Sequence, residues 1–335
     1  MPLNMYNSFA RYSLATQKLV KDPSFVLANN LNEMNYETGC AISNNGQYIL
    51  TCHYFGGAYV SNNYGSTFTK LTSPTSDTWT CAISGNGQYM LIGNNTGYIH
   101  RSTNYGATFT ENTTGSLPKN WQSIKMSYDG QYCLASSDKV YLSSNYGANF
   151  AVIKDTSGTD ISPGYSTSQS DIAMSKTGQY MIRVKRVTPT DGIVISTDYG
   201  VTWKQKTFAI LTGFSNSCAM SEDGQTVFVG SFYVQKLYKI TNISDNTPTV
   251  TEITKATELA IVCACILVSS DALYIFISDR YNGKMYYSTN GGSSFKQIIT
   301  TTKFITAAMT SNASIIIGNS LYLSSYNYRL YISNV

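Results

Sequence analysis

The side chains best suited to acid–base, metal or nucleophilic chemistry are few in this 335-residue chain, and their spacing does not combine them. His53 and His100 are the two histidines. No carboxylate stands at a set distance from either, so a histidine-based metal site is not indicated. Cys263-Ala-Cys265 could form a redox pair. With one residue between the thiols, however, strand alternation puts both on one side of the apolar run 261–268, which reads as two adjacent core thiols. Cys40, Cys81 and Cys218 are each followed by Ala, then Ile or Met, then Ser. Ile124 and Ile172 hold the same slot elsewhere, so it is a buried apolar position that a free thiol fills well. No Gly-x-Ser-x-Gly elbow and no phosphate loop is present. Positive charge concentrates locally at Arg183, Lys185 and Arg186. The expectation is a chain with no catalytic set, no cofactor and no metal.

The elements that must position these residues are repeats. Ser43-Asn-Asn-Gly-Gln-Tyr48 recurs at Ser84, Ser127, Ser175 and Ser221, with weaker copies at Ser269 and Thr310. The seven copies lie 41 to 48 residues apart, each between two short apolar runs. Strand, Asn-Gly or Asp-Gly turn, strand is the strongest short-range hairpin signal, because the favoured turn needs positive φ at its centre. This is the A–B hairpin of each repeat, with strands lettered A to D.

A second motif follows the first in five repeats. Its members are Ser61, Asn63, Gly65 and Phe68; Ser102, Asn104, Gly106 and Phe109; and Ser143, Asn145, Gly147 and Phe150. Ser196, Asp198, Gly200 and Trp203, then Ser288, Asn290, Gly292 and Phe295, complete the set. An Asx oxygen can accept backbone N–H groups across such a turn, and Gly can take a left-handed conformation. The aromatic is expected to fill the space between neighbouring sheets. In the fifth repeat the motif gives way to Thr241-Asn-Ile-Ser-Asp-Asn246, without the Gly or the aromatic. In the seventh, Leu321-Tyr-Leu-Ser-Ser325 matches Val140-Tyr-Leu-Ser-Ser144, but Tyr328 holds the Gly position.

These five copies resemble the Asp-box (BNR repeat) found in the β-propellers of sialidases, sortilin-type receptors, xyloglucanases and a photosystem II assembly factor. The resemblance implies an all-β propeller of four-stranded antiparallel blades, and the seven A–B hairpins make it a seven-bladed β-propeller over residues 37–335, with residues 1–36 as an N-terminal arm. Ring closure is open to two readings: the C-terminus supplies every strand of the last blade, or a strand from residues 5–20 completes it. Residues 329–335 would then form the last outer strand. A sialidase would also bring a three-Arg carboxylate clamp, a Tyr nucleophile with a Glu partner and an acid/base Asp. The six Arg, at 11, 101, 183, 186, 280 and 329, do not fall at matching positions in three neighbouring repeats.

Topology divides the faces. A–B and C–D turns share one face and are stereotyped. B–C and D–A connections share the other and vary in length and chemistry, the longest running from Lys154 to Asp171. Variable loops on a rigid scaffold are where binding sites arise. The candidate binding residues are therefore Tyr54, Trp121, Tyr165, Arg183, Lys185, Arg186, Tyr233, Arg280 and Tyr281, since Tyr, Trp and Arg dominate interface anchors. Charged residues make up 13% and the net charge is +4, with basic residues scattered, so no specific nucleic-acid partner is expected. No run reaches the roughly 20 apolar residues that span a bilayer, and no apolar leader is visible. Free thiols favour a reducing compartment, such as the cytosol or a virion. The reading is a non-catalytic scaffold that binds a protein or glycan through the B–C/D–A face, as in a structural component of a virion or other particle. The alternative is a glycan-processing or glycan-binding propeller with a degenerate site.

Overall fold

The repeated hairpin is built by one serine. In the computed structural model, Ser43 Oγ accepts the Tyr48 N–H (3.0 Å) and donates to Asn45 Oδ1 (2.9 Å), which itself accepts the Gln47 N–H (3.0 Å). Gly46 sits at φ +80°, where a side chain would be strained. Ser84, Ser127, Ser221 and Ser269 repeat this geometry. The structure describes residues 24–27, 34–35, 37–75, 77–113, 117–161, 172–184, 192–208, 215–231, 235–245, 247–279, 284–298, 303–322 and 327–334.

Six four-stranded antiparallel sheets follow one another along the chain. Sheet one comprises Glu37–Ile42, Ile49–His53, Gly57–Ser61 and Thr69–Lys70. Sheet two comprises Thr78–Ile83, Met90–Asn94, Ile99–Ser102 and Thr110–Glu111. Sheet three comprises Ser123–Met126, Cys133–Ser136, Val140–Ser143 and Ala151–Val152. Sheet four comprises Ile172–Met174, Met181–Val184, Gly192–Ser196 and Lys204–Thr207. Sheet five comprises Ser215–Met220, Thr226–Ser231, Leu237–Thr241 and Thr249–Glu252. Sheet six comprises Cys263–Val268, Ile275–Asp279, Met285–Ser288 and Lys296–Ile298. The A strands of adjacent sheets touch in sequence, and Lys303–Met309 touches the A strands of both sheet six and sheet one, which closes a ring.

The expected seven four-stranded blades are corrected here, because six blades of that kind are present. The remaining sheet is five-stranded and drawn from both ends of the chain. Its strands are Lys303–Met309, Ile315–Tyr322, Asn327–Asn334, Ser24–Leu27 and Met34–Asn35. The alignment that set Tyr328 at the turn Gly position does not hold, because Leu321 and Tyr322 end the second strand and Tyr328 lies inside the third. Ser24–Leu27 and Met34–Asn35 pair with that third strand where the sister sheets have their D strand. Residues 329–335 were expected as the outer strand, yet Asn327–Asn334 is the third strand, and Leu321 and Tyr322 end the second. The closing strand comes from residues 24–27, and residues 5–20 lie outside the described residues.

Cores lie between sheets, because no four-stranded sheet can bury both faces alone. Leu50, Cys52, Met90 and Ile92 pack between sheets one and two, and Leu134, Met181, Val194 and Trp203 between three and four. Across the four boundaries from sheet one to sheet five an A–B turn tyrosine covers the next sheet's turn glycine. A Cβ on Gly87 would meet the Tyr48 ring at 2.3 Å, and one on Gly224 would meet Tyr180 at 2.4 Å.

Candidate functional site

A β-bulge recurs near the B–C/D–A end of the A strands, at Glu37/Gly39, Thr78/Thr80, Ser215/Ser217, Cys263/Cys265 and Phe304/Thr306. Bulges re-aim side chains, and two consequences follow. The first concerns the thiols. Cys263 sits against Gly230 of sheet five, whereas Cys265 Sγ lies 3.8 Å from the Ala307 carbonyl of the closing sheet. The expectation of two adjacent thiols on one side is thereby corrected: simple alternation fails because the bulge inserts an extra residue. The second concerns Trp79, the extra residue in sheet two, which lines the mouth of the central axis.

The cavity on the axis is about 70 Å³, lined by Cys40, Cys81 and Cys265, by small residues, and by Trp79, Gln122 and Lys125. Ligand pockets usually measure about 300–1,000 Å³, so this space suits a few waters. Burial pushes the Cys265 thiol up despite Lys125, and pushes Cys218 up to about 12. Both are therefore protonated at neutral pH and poor nucleophiles. Among the described residues, Lys125 is the one charged group lining the cavity, with no carboxylate or imidazole beside it.

Around that mouth, on the variable face, lies an aromatic run. Tyr54, in the B–C turn of sheet one, stands edge-on to Trp79 with ring centroids 6.0 Å apart. Phe55 stands edge-on to Tyr54 at 4.6 Å and is 60% exposed. Sequence reasoning selected Tyr54 and missed Phe55. The signal was two adjacent aromatics in a turn closed by Gly56-Gly57, a place where a large ring is exposed.

The other expected binding residues fall differently. Trp121 is fully buried, donates Nε1–H to the Gly97 carbonyl (2.9 Å) and packs edge-on against Tyr141. Arg183 is 1% exposed within the second strand of sheet four, and burial lowers its guanidinium to about 9. Both therefore belong to the interior: Trp121 lies just before Ser123–Met126, and Arg183 lies within Met181–Val184. Tyr165, Lys185, Arg186, Tyr233, Arg280 and Tyr281 lie outside the described residues.

On the stereotyped face, the second motif has one geometry in five copies. The serine Oγ accepts the N–H of Gly65, Gly106, Gly147, Gly200 and Gly292 at 2.8–3.0 Å. The Asn or Asp Oδ1 accepts a backbone N–H four residues on, at 2.9–3.0 Å. Tyr64, Tyr105, Tyr146 and Tyr199, just before the glycines, are themselves left-handed at φ 60–61°. Such a conformation is an outlier for a bulky side chain.

No family model matches the sequence, and no curated protein does. Solved structures match over nearly the whole chain. YCF48 bound to D1 peptide aligns with TM-score 0.66 at 10% identity, over 95% of this chain and 98% of that one. YCF48 from Cyanidioschyzon merolae aligns with TM-score 0.67 at 9% identity, over 92% and 98%. The Cps50 (Swd1) β-propeller domain of Myceliophteria thermophila aligns with TM-score 0.70 at 10% identity, over 93% and 100%. The chain is a β-propeller. At these identities the likeness is one of fold, and it extends to propellers of more than one kind. Among the described residues, no helix of this propeller is long and apolar enough to cross a membrane, and no three His, Cys, Asp or Glu side chains gather to hold a metal.

Proposed function

We propose that the protein is a non-catalytic binding propeller that engages another protein through its B–C/D–A face, with Phe55, Tyr54 and Trp79 as anchors. The observation that carries this reading is Phe55, 60% exposed on an aromatic run that leads to Trp79. Interface energy concentrates in a few aromatic and Arg anchors set in shallow relief. A propeller of the same fold has been solved bound to a peptide, YCF48 with D1 peptide, which favours a polypeptide partner.

The test is affinity capture from the native source with the parent, a Phe55→Ala/Trp79→Ala variant and a stereotyped-face control, Tyr105→Ala. The aromatic variant should lose the captured protein while the control keeps it. Retention by the aromatic variant and loss by the control would overturn the assignment of the face.

A further inference from the structure

One A strand differs from its sisters on the inner side of the ring. Two residues before the hairpin Ser or Thr, these strands hold Ala41, Ala82, Ala173, Ala219 and Ala308, with Leu267 in sheet six, whereas sheet three holds Lys125. Lys125 is half-buried and lines the axial cavity of about 70 Å³. Its charge acts on the thiols of Cys81, Cys218 and Cys265, which belong to sheets two, five and six, and favours their ionised forms. A lysine of sheet three that reaches three other sheets in this way directs its ammonium towards the axis they share.

No carboxylate meets that ammonium. Among the described residues neither Asp nor Glu lines the cavity, and the ion pairs engage Lys119, Lys139, Lys154, Lys176 and Lys236 but not Lys125. A cation withdrawn from water is costly unless an anion compensates it. The same cavity is bordered by three buried polar atoms without a hydrogen-bond partner among the described residues: Trp79 Nε1, Thr306 Oγ1 and Gln122 Oε1. The indole N–H donates, and the hydroxyl can donate as well as accept. Buried polar atoms left unpaired by protein are uncommon, and bound water or an ion is a usual reason for them.

We propose that the axial cavity is a halide site, in which one monovalent anion takes its counter-charge from Lys125 and hydrogen bonds from Trp79 Nε1–H and Thr306 Oγ1–H. Size limits the ligand. A water occupies about 30 Å³ in the liquid, so the cavity admits a single-atom anion and a water, and that water can donate to Gln122 Oε1. Charge limits it too, since one lysine balances one negative charge. Water alone would satisfy the three polar atoms but leave the ammonium without a counter-ion. The site shares Trp79 with the aromatic run, through its indole N–H, and does not rest on the reading of the Phe55 face.

The test is diffraction from crystals of the full chain grown without halide and soaked in sodium bromide, together with thermal melts in sodium chloride and in sodium gluconate at an ionic strength of about 0.15 M. An anomalous bromide peak should lie in the axial cavity beside Lys125 Nζ. The parent should melt about 2 °C or more higher in chloride than in gluconate, as binding to the folded state alone requires. Lys125→Met should melt equally in the two salts. It keeps the stem without the charge, and sheet six already carries Leu267 at this position. The bromide experiment uses the parent and stands if the variant does not fold. No bromide peak in the cavity, equal melting of the parent in the two salts, or a chloride increment that persists in Lys125→Met would each overturn the proposal.

Discussion

The Tyr89 ring stacks on the Tyr146 ring across the boundary between sheets two and three, with centroids 4.6 Å apart and planes 29° from parallel. The pair joins the two repeated motifs: Tyr89 ends an A–B turn, and Tyr146 is the left-handed residue of the next sheet's C–D turn. Tyr48 with Tyr105 and Tyr132 with Tyr199 repeat it at 5.3 and 5.2 Å. The stack offsets the backbone cost of holding a tyrosine at φ 61°. A double-mutant cycle on Tyr89→Ala and Tyr146→Ala should give a coupling of about 0.5–1.5 kcal/mol by denaturant unfolding. Additive losses would mean the rings merely sit side by side.

The C–D turn is also a packing device. A Cβ on Gly147, at φ +76°, would approach Leu91 Cδ2 to 2.7 Å, so Gly147→Val combines backbone strain with a clash against sheet two. It should cost more than about 2 kcal/mol. Phe150→Ala, which empties the space beside Trp121, should cost about 3 kcal/mol. Thermal melts that coincide with the parent would show that neither residue bears on the boundary.

Much of this was legible in the sequence. Ser43-Asn-Asn-Gly specifies its hairpin through contacts within six residues, and copies of such a local unit can be counted. The closing sheet was not legible, because pairing of Ser24–Leu27 with Tyr331–Asn334 joins segments some 300 residues apart that carry no shared motif. Arg183 was misplaced for a related reason. Repeat spacing locates strands but not the surroundings of each side chain, and Arg183 lies inside Met181–Val184, paired with Ile172 and Val194.

Arg183 should behave as an interior residue. Arg183→Ala leaves a cavity and strands its buried neighbours, at a cost of about 3 kcal/mol or more, whereas Arg183→Met keeps the volume and should lose less. Denaturant midpoints for the two variants check the order. Equal, negligible losses would place the guanidinium in solvent.

His53 is fully buried, with Nε2 3.0 Å from Thr51 Oγ1, and burial, aided by Lys70, lowers its pKa to about 3. The folded state therefore holds it neutral, while the unfolded chain takes up a proton near pH 6.5. Stability is unaffected above about 6.5 and falls as pH drops from there towards about 3, by up to about 1.4 kcal/mol per unit from this group. Burial lowers His100 in the same sense. Between pH 6.5 and 5, above most carboxylate titration, His53→Gln should show a shallower decline than the parent. An identical slope would mean that His53 is protonated in the fold.

The central claim, binding through the variable face, is tested most directly by photo-crosslinking. A benzophenone amino acid placed at position 55 should crosslink the captured protein on irradiation, and the same group at position 105, on the stereotyped face, should not. Crosslinks from position 105 with none from position 55 would contradict the account.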